Sequence, residues 1–149
     1  MILAIDPGDH IGCVWETMRK TVYGKTLDTE ERLQRLWNLL QELKPDVIIY
    51  EEFALRQSAA QHLVGNKFIT CEVIGVIKLY CQLTSTPIVK LTPSSKEYCG
   101  FSDSARDPAF KAINCMEQKI TEHVRDAYRL LRYAQLFKLK EIKYGSTTS

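Results

Sequence analysis

Asp6, Glu51, His123 and Asp126 are the side chains whose types and placement could do chemistry together. Asp6 follows the apolar run Ile2–Ile5 and precedes Pro7-Gly8, so it ends a buried strand at a turn. Glu51 follows Val47-Ile48-Ile49-Tyr50, a β-branched and aromatic run of the kind buried on both faces of a sheet. Were those strands parallel neighbours, both carboxylates would emerge at one edge. Glu52 comes next, and because strand side chains alternate, only one of Glu51 and Glu52 can point into a shared site. His123 and Asp126 are three apart in a helical pattern and share a face.

Converging carboxylates repel one another, and burying them uncompensated costs several kcal/mol. A divalent cation turns that cost into affinity. Magnesium prefers few carboxylates, with waters and substrate phosphate oxygens completing its shell. Two such ions about 4 Å apart can activate a water and stabilise a leaving 3′ oxygen in phosphodiester hydrolysis. Each residue alone has an ordinary explanation: a solvated strand end, a satisfied histidine, a surface acid. The spacing of all four together points to a site.

The elements that must position them read as follows. Ile2–Ile5, Gly12–Glu16 and Thr21–Lys25 are expected to be three strands of an antiparallel meander, with a polar hairpin at Thr17–Lys20. Asp28-Thr29-Glu30-Glu31 has the form of a capping box, opening a helix through Leu33, Leu36, Trp37, Leu40 and Leu43 that Pro45 closes. After the Val47–Tyr50 strand, a long helix is expected from Ser58 to about Leu83. Gly75 within it would permit close packing, and Gly65 would mark an irregular first turn. Ile88–Leu91 is a short strand, and Thr92-Pro93 starts a helix. Gly100–Pro108 is a loop, and a helical pattern runs from near Phe110, with a break around Ile120-Thr121, to about Lys140. The order predicts an α/β fold, a mixed five-stranded sheet of three meandering strands plus two parallel ones, with helices on both faces. Residues 1–144 would form one domain and 145–149 a mobile polar tail.

Composition sets the bounds. The chain has 149 residues, 45% hydrophobic, enough for one core. It has five cysteines, an odd number without a C-x-x-C pair, which suggests reduced, packed thiols rather than disulfides or zinc. No stretch is long and apolar enough to span a bilayer and no export signal is read, so a cytosolic address (bacterial, or a phage-infected host) is expected. Residues 1–52 hold ten acids and six bases, a net −4, and the remainder eight acids and fourteen bases, a net +6. An acidic cluster beside a basic surface suits an enzyme holding metal at one spot and phosphate around it.

The same residues resemble a known family. Ala4-Ile5-Asp6-Pro7-Gly8 with Ile11-Gly12 is similar to the opening of RuvC-type Holliday junction resolvases, a ribonuclease-H-like family. Ile49-Tyr50-Glu51 looks like its second catalytic strand, and Glu72–Ile77 resembles its helix with a small-residue contact. Thr92–Gly100 resembles the P-x-x-x-K segment, and His123-Val124-Arg125-Asp126-Ala127 the closing [DH]-x-x-D-A motif. The resemblance covers nearly the whole chain in order. It implies a DNA endonuclease with Asp6, Glu51, His123 and Asp126 as metal and catalytic positions, two Mg2+ ions per site (Mn2+ substituting), and Lys96 at the scissile phosphate. It further implies a homodimer acting on four-way DNA junctions and cutting two strands symmetrically. The dimer contact would lie on the long helix from about Ser58. Arg56, Lys67 and Arg106 are candidate phosphate contacts.

Two departures stand out. The family's aromatic wedge has Phe53 as its counterpart, two residues after Glu51 rather than three, so core packing is an equal alternative for it. The segment from Gly100 to His123 is also short, as in compact phage-encoded members. Rival readings are a YqgF-type RNA-processing nuclease and a non-catalytic nucleic-acid-binding module of the same fold. An actin-like ATPase needs a second domain for which the chain lacks the length, so no nucleotide cofactor and no membrane partner are expected.

Overall fold

A computed structural model of the chain describes residues 1–53, 68–117 and 119–140. The three opening strands are β1 (Ile2–Asp6), β2 (Ile11–Glu16) and β3 (Val22–Leu27), paired antiparallel as their alternation and polar turns predict. Helix α1 (Arg32–Leu43) follows, then β4 (Val47–Glu51), α2 (Ile69–Thr84) and β5 (Ile88–Leu91). Two short 3-10 helices, Pro93–Tyr98 and Pro108–Ala112, lead to β6 (Ile113–Cys115) and to α3 (Glu122–Phe137). The sheet runs β5-β4-β1-β2-β3-β6, with β4 parallel to β1, β5 parallel to β4, and β6 parallel to β3.

Period-two alternation divides the core into two layers. Leu3, Ile5, Ile48 and Tyr50 face α1 and α2, packing with Leu36, Leu40, Val73 and Ile77. Ala4, Val14 and Ile49 face α3, packing with Val124, Ala127, Leu130 and Leu131. Helices therefore cover both faces, as the sequence predicts.

Four details differ from the sequence reading. The sheet has six strands rather than five: Ile113–Cys115 is a strand, where a helix is predicted to begin near Phe110. Three residues are too few to show a period, and the partner that makes them a strand, Val22–Gly24, lies far away in sequence. The capping box does not form. Helix α1 starts at Arg32, so its N-cap position falls on Glu31 rather than Asp28, and no side chain caps it. Thr92-Pro93 opens a 3-10 helix, in which Thr92 makes no side-chain bond to a backbone amide. Gly75 has open space where a side chain would be, so it serves no close contact among the described residues. Gly65, the predicted start of the second helix near Ser58 and the tail 145–149 lie outside the described residues. All five cysteines are free. Among the described residues, no helix is long and apolar enough to cross a membrane.

Candidate active site

β1 and β4 run side by side and parallel, Ala4 opposite Ile49 and Ile5 opposite Tyr50, which brings Asp6 and Glu51 to the same end of the sheet. Alternation then decides between the two glutamates. Ile49 packs on the α3 side and Tyr50 on the other, so Glu51 faces α3 while Glu52 is exposed.

Helix α3 is seated to meet them. The Thr121 hydroxyl caps it, accepting from the Val124 amide at 3.2 Å, and also lies 2.7 Å from the Thr26 hydroxyl on β3. Two glycines let the helix lie directly on the sheet. A Cβ on Gly12 of β2 would stand 2.0 Å from the His123 carbonyl oxygen, and one on Gly24 of β3 would stand 2.8 Å from Val124. The first turn of α3 thus rests on bare backbone, and His123 and Asp126 reach the carboxylates.

The contacts are specific. His123 Nδ1 lies 3.4 Å from Asp6 Oδ2, and its Nε2 lies 3.5 Å from Glu122 Oε1. Lys96, from the 3-10 helix after β5, places Nζ 2.8 Å from Glu51 Oε2 and 3.1 Å from Asp126 Oδ2. Arg129, one turn beyond Asp126, has Nη1 3.6 Å from Asp126 Oδ1. The ring of His10, in the loop after β1, stacks on His123 with centroids 5.2 Å apart.

The electrostatics follow from burial. Asp6 is pushed up from 3.8 to about 7, chiefly by loss of water, with Asp126, Glu51 and Glu122 adding repulsion against the opposing pull of Lys96. Burial alone would lower Lys96, but its hydrogen bond to Glu51 and the charges of Asp126, Glu51 and Asp6 outweigh that and raise it. An acid held this high by burial, with carboxylates beside it, is one that a bound cation would favour in its charged form. Hard oxygen donors beside one imidazole suit a divalent cation. As they stand, no three His, Cys, Asp or Glu among the described residues are grouped to ligate one ion. The ammonium of Lys96 sits between Glu51 and Asp126 and counters both charges.

Asp6, Glu51, Lys96, His123 and Asp126 are thus brought together. Phe53 is 39% exposed and belongs to neither apolar cluster. Arg106 is exposed in the loop before the second 3-10 helix, and that loop is tied to α3 by Arg125 Nε donating to the Asp103 carbonyl at 3.0 Å. Arg56 and Lys67 lie outside the described residues. Sequence reading missed His10 and Arg129. The spacing of Arg129 from Asp126, three along a helix, was a usable signal; nothing local distinguished His10.

No family model and no curated protein matches the sequence. Solved structures do match. Thermus thermophilus RuvC in complex with Holliday junction substrate superposes with a TM-score of 0.66 at 15% identity, over 93% of this chain and 94% of that one. The chain has the RuvC-type resolvase fold. The fowlpox virus resolvase, in complex with its substrate Holliday junction DNA, has a TM-score of 0.58 at 17% identity, over 92% of this chain and 100% of that one. The yeast mitochondrial Holliday junction resolvase Ydc2 gives 0.51 at 13% identity, over 96% and 83%. The RuvC-type, ribonuclease-H-like sheet is therefore present nearly end to end, and it is the frame that holds the acidic cluster.

Proposed function

We propose that the chain is a metal-dependent, structure-selective DNA endonuclease that resolves four-way junctions by paired, symmetric phosphodiester hydrolysis. One observation carries the reading: within a RuvC-type fold, Asp6, Glu51 and Asp126 converge with His123 at one end of the sheet, and a lysine already counters two of the carboxylates.

The residues fit divalent cations. Asp6 is driven up to about 7 by burial and by its neighbours, a penalty that a bound cation removes. Asp6, Glu51, His123 and Asp126 would hold Mg2+ or Mn2+, two ions per site. When bound, such ions supply the charge that lowers the pKa of water and stabilises a departing 3′ oxygen. The chain's own groups do the rest. Lys96 is a point charge on a flexible stem, able to leave the carboxylates for a scissile phosphate. His10, stacked on His123, holds the imidazole plane toward Asp6. Phe53 and Arg106 are exposed and available to DNA; Arg56 and Lys67 are proposed as further phosphate contacts on their charge alone.

A homodimer is part of the proposal. Helix α2 leaves Leu79 and Leu83 exposed, with Phe68 just before it and Gly75 uncovered between them. An apolar strip of this kind fits a second copy, and a two-fold enzyme suits a two-fold junction.

The deciding experiment is incubation of the purified protein with a labelled synthetic four-way junction in magnesium, manganese or chelator. Paired, symmetric nicks that need metal are expected. An intact junction alongside cleaved structured RNA would move the activity to a YqgF-type nuclease. Junction binding without any cleavage would make the chain a binding module.

A further inference from the structure

Arg129 is the least expected residue near the site. Its residue surface is 8% exposed, and its Nε is buried with no hydrogen-bond partner among the described residues. A guanidinium stays charged at any accessible pH, and a buried charge needs an opposing one. The one carboxylate in ion-pair range among the described residues is Asp126, whose Oδ1 lies 3.6 Å from Arg129 Nη1. Lys96 engages the other oxygen, Oδ2, at 3.1 Å. Asp126 therefore carries a separate cation on each oxygen.

The two cations are not equivalent. Lys96 reaches in from a 3-10 helix on a flexible stem and can swing away. Arg129 projects from the helix that carries Asp126 and is itself buried, so its charge stays in place. A side chain there for packing alone would be more stable as an apolar residue of similar volume.

We propose that Arg129 is a fixed counter-charge that weakens divalent-ion binding at the acidic cluster, so that metal is held firmly only once a DNA phosphate adds negative charge. This rests on the metal-dependent reading above. Because linkage is reciprocal, metal and DNA would then tighten each other's binding. Arg129 touches neither substrate nor reacting atoms in this scheme and acts through Asp126.

The test is Mn2+ titration of the purified full chain without DNA, following free Mn2+ by electron paramagnetic resonance. Arg129→Met removes the charge and the donor, Arg129→Gln removes the charge and keeps a donor, and Arg129→Lys keeps the charge. The Met and Gln variants are expected to bind Mn2+ about tenfold more tightly than wild type, with Lys close to wild type. A loosened or misfolded site cannot produce tighter binding, so a purely structural role would not give this result. Should Arg129→Met fail to fold, the Gln and Lys pair decides. Wild-type affinity in a folded Gln variant, or weaker binding, overturns the role of Arg129 and leaves the metal site standing. No Mn2+ binding by wild type or by any of the variants overturns both.

Discussion

Lys96 Nζ lies 2.8 Å from Glu51 Oε2, an ion pair between a 3-10 helix and the end of a central strand. Both side chains are largely withdrawn from solvent, at 16% and 19% exposure, so the pair is screened little by salt. It joins the last strand-borne acid to the segment after β5, and through Asp126 to α3. The lysine thus bridges two carboxylates that would otherwise repel each other.

Replacing it should therefore expose their repulsion. Lys96→Met is expected to cost about 2 kcal/mol without metal, lowering Tm by roughly 4–8 °C for a chain of this size. Magnesium should recover more of that loss than it adds to wild type, while cleavage falls by about 100-fold or more. Melting curves with and without magnesium give the answer. An unchanged metal-free Tm would sink the idea that Lys96 counters both charges.

Asp6 yields a prediction of the opposite sign. Its folded pKa of about 7 lies above the 3.8 of a free side chain, so the folded state binds more protons between those values. Stability of the metal-free protein accordingly falls as pH rises from about 4 to about 7. Asp6→Asn should remove that slope, abolish cleavage and leave junction binding intact. At pH 8 the variant should be more stable by roughly 2 kcal/mol, the gain vanishing near pH 4. Protons and cations also compete for this carboxylate, so apparent Mg2+ affinity in wild type should weaken below about pH 7. An active Asp6→Asn enzyme would remove Asp6 from the mechanism.

His123→Asp tests what the imidazole contributes. If His123 only holds metal, exchanging it for a carboxylate should leave substantial cleavage in magnesium or manganese. Complete inactivity in a folded variant would show that His123 does more than coordinate, with proton transfer the leading alternative.

Gly12 is expected to be intolerant. An added methyl would stand 2.0 Å from the His123 carbonyl oxygen, a backbone atom of a capped helix that cannot step aside alone. Gly12→Ala should cost about 3 kcal/mol, or lift α3 and separate His123 from Asp6. Chemical denaturation combined with a cleavage assay would show either effect. A stable, fully active variant would mean that α3 sits higher than described.

The outward strip on α2 predicts assembly. Leu79→Glu together with Leu83→Glu, at positions 50% and 68% exposed, should leave the fold intact and yield a monomer in light scattering. Its nicks on a junction should become single and uncoupled. A wild-type protein that is monomeric with and without DNA would contradict the dimer.

The strands and their terminal acids were legible because apolar runs and turn residues are local signals. Asp6 and Glu51 could be named on that basis, and the choice of Glu51 over Glu52 needed only which core layer Ile49 and Tyr50 each face. β6 was not legible, since its strand character comes from Val22–Gly24 about ninety residues away. The capping box failed for a similar reason: the Asp28–Glu31 pattern was present, but the chain leaving β3 turns into α1 only at Arg32. His10 and Arg129 were hidden because a stack on His123 and a burial beside Asp126 exist only after α3 has docked.

That docking has a consequence for the order of events during synthesis. Asp6 lies on β1, which leaves the ribosome well before Asp126 and His123, since these belong to a helix more than a hundred residues later. Until α3 has emerged and settled onto Gly12 and Gly24, the nascent chain holds two acids at a strand edge and no assembled centre. The acidic cluster is thus a late product of synthesis rather than a property of the emerging strands, and its assembly waits on the seat that Gly12 and Gly24 leave for α3.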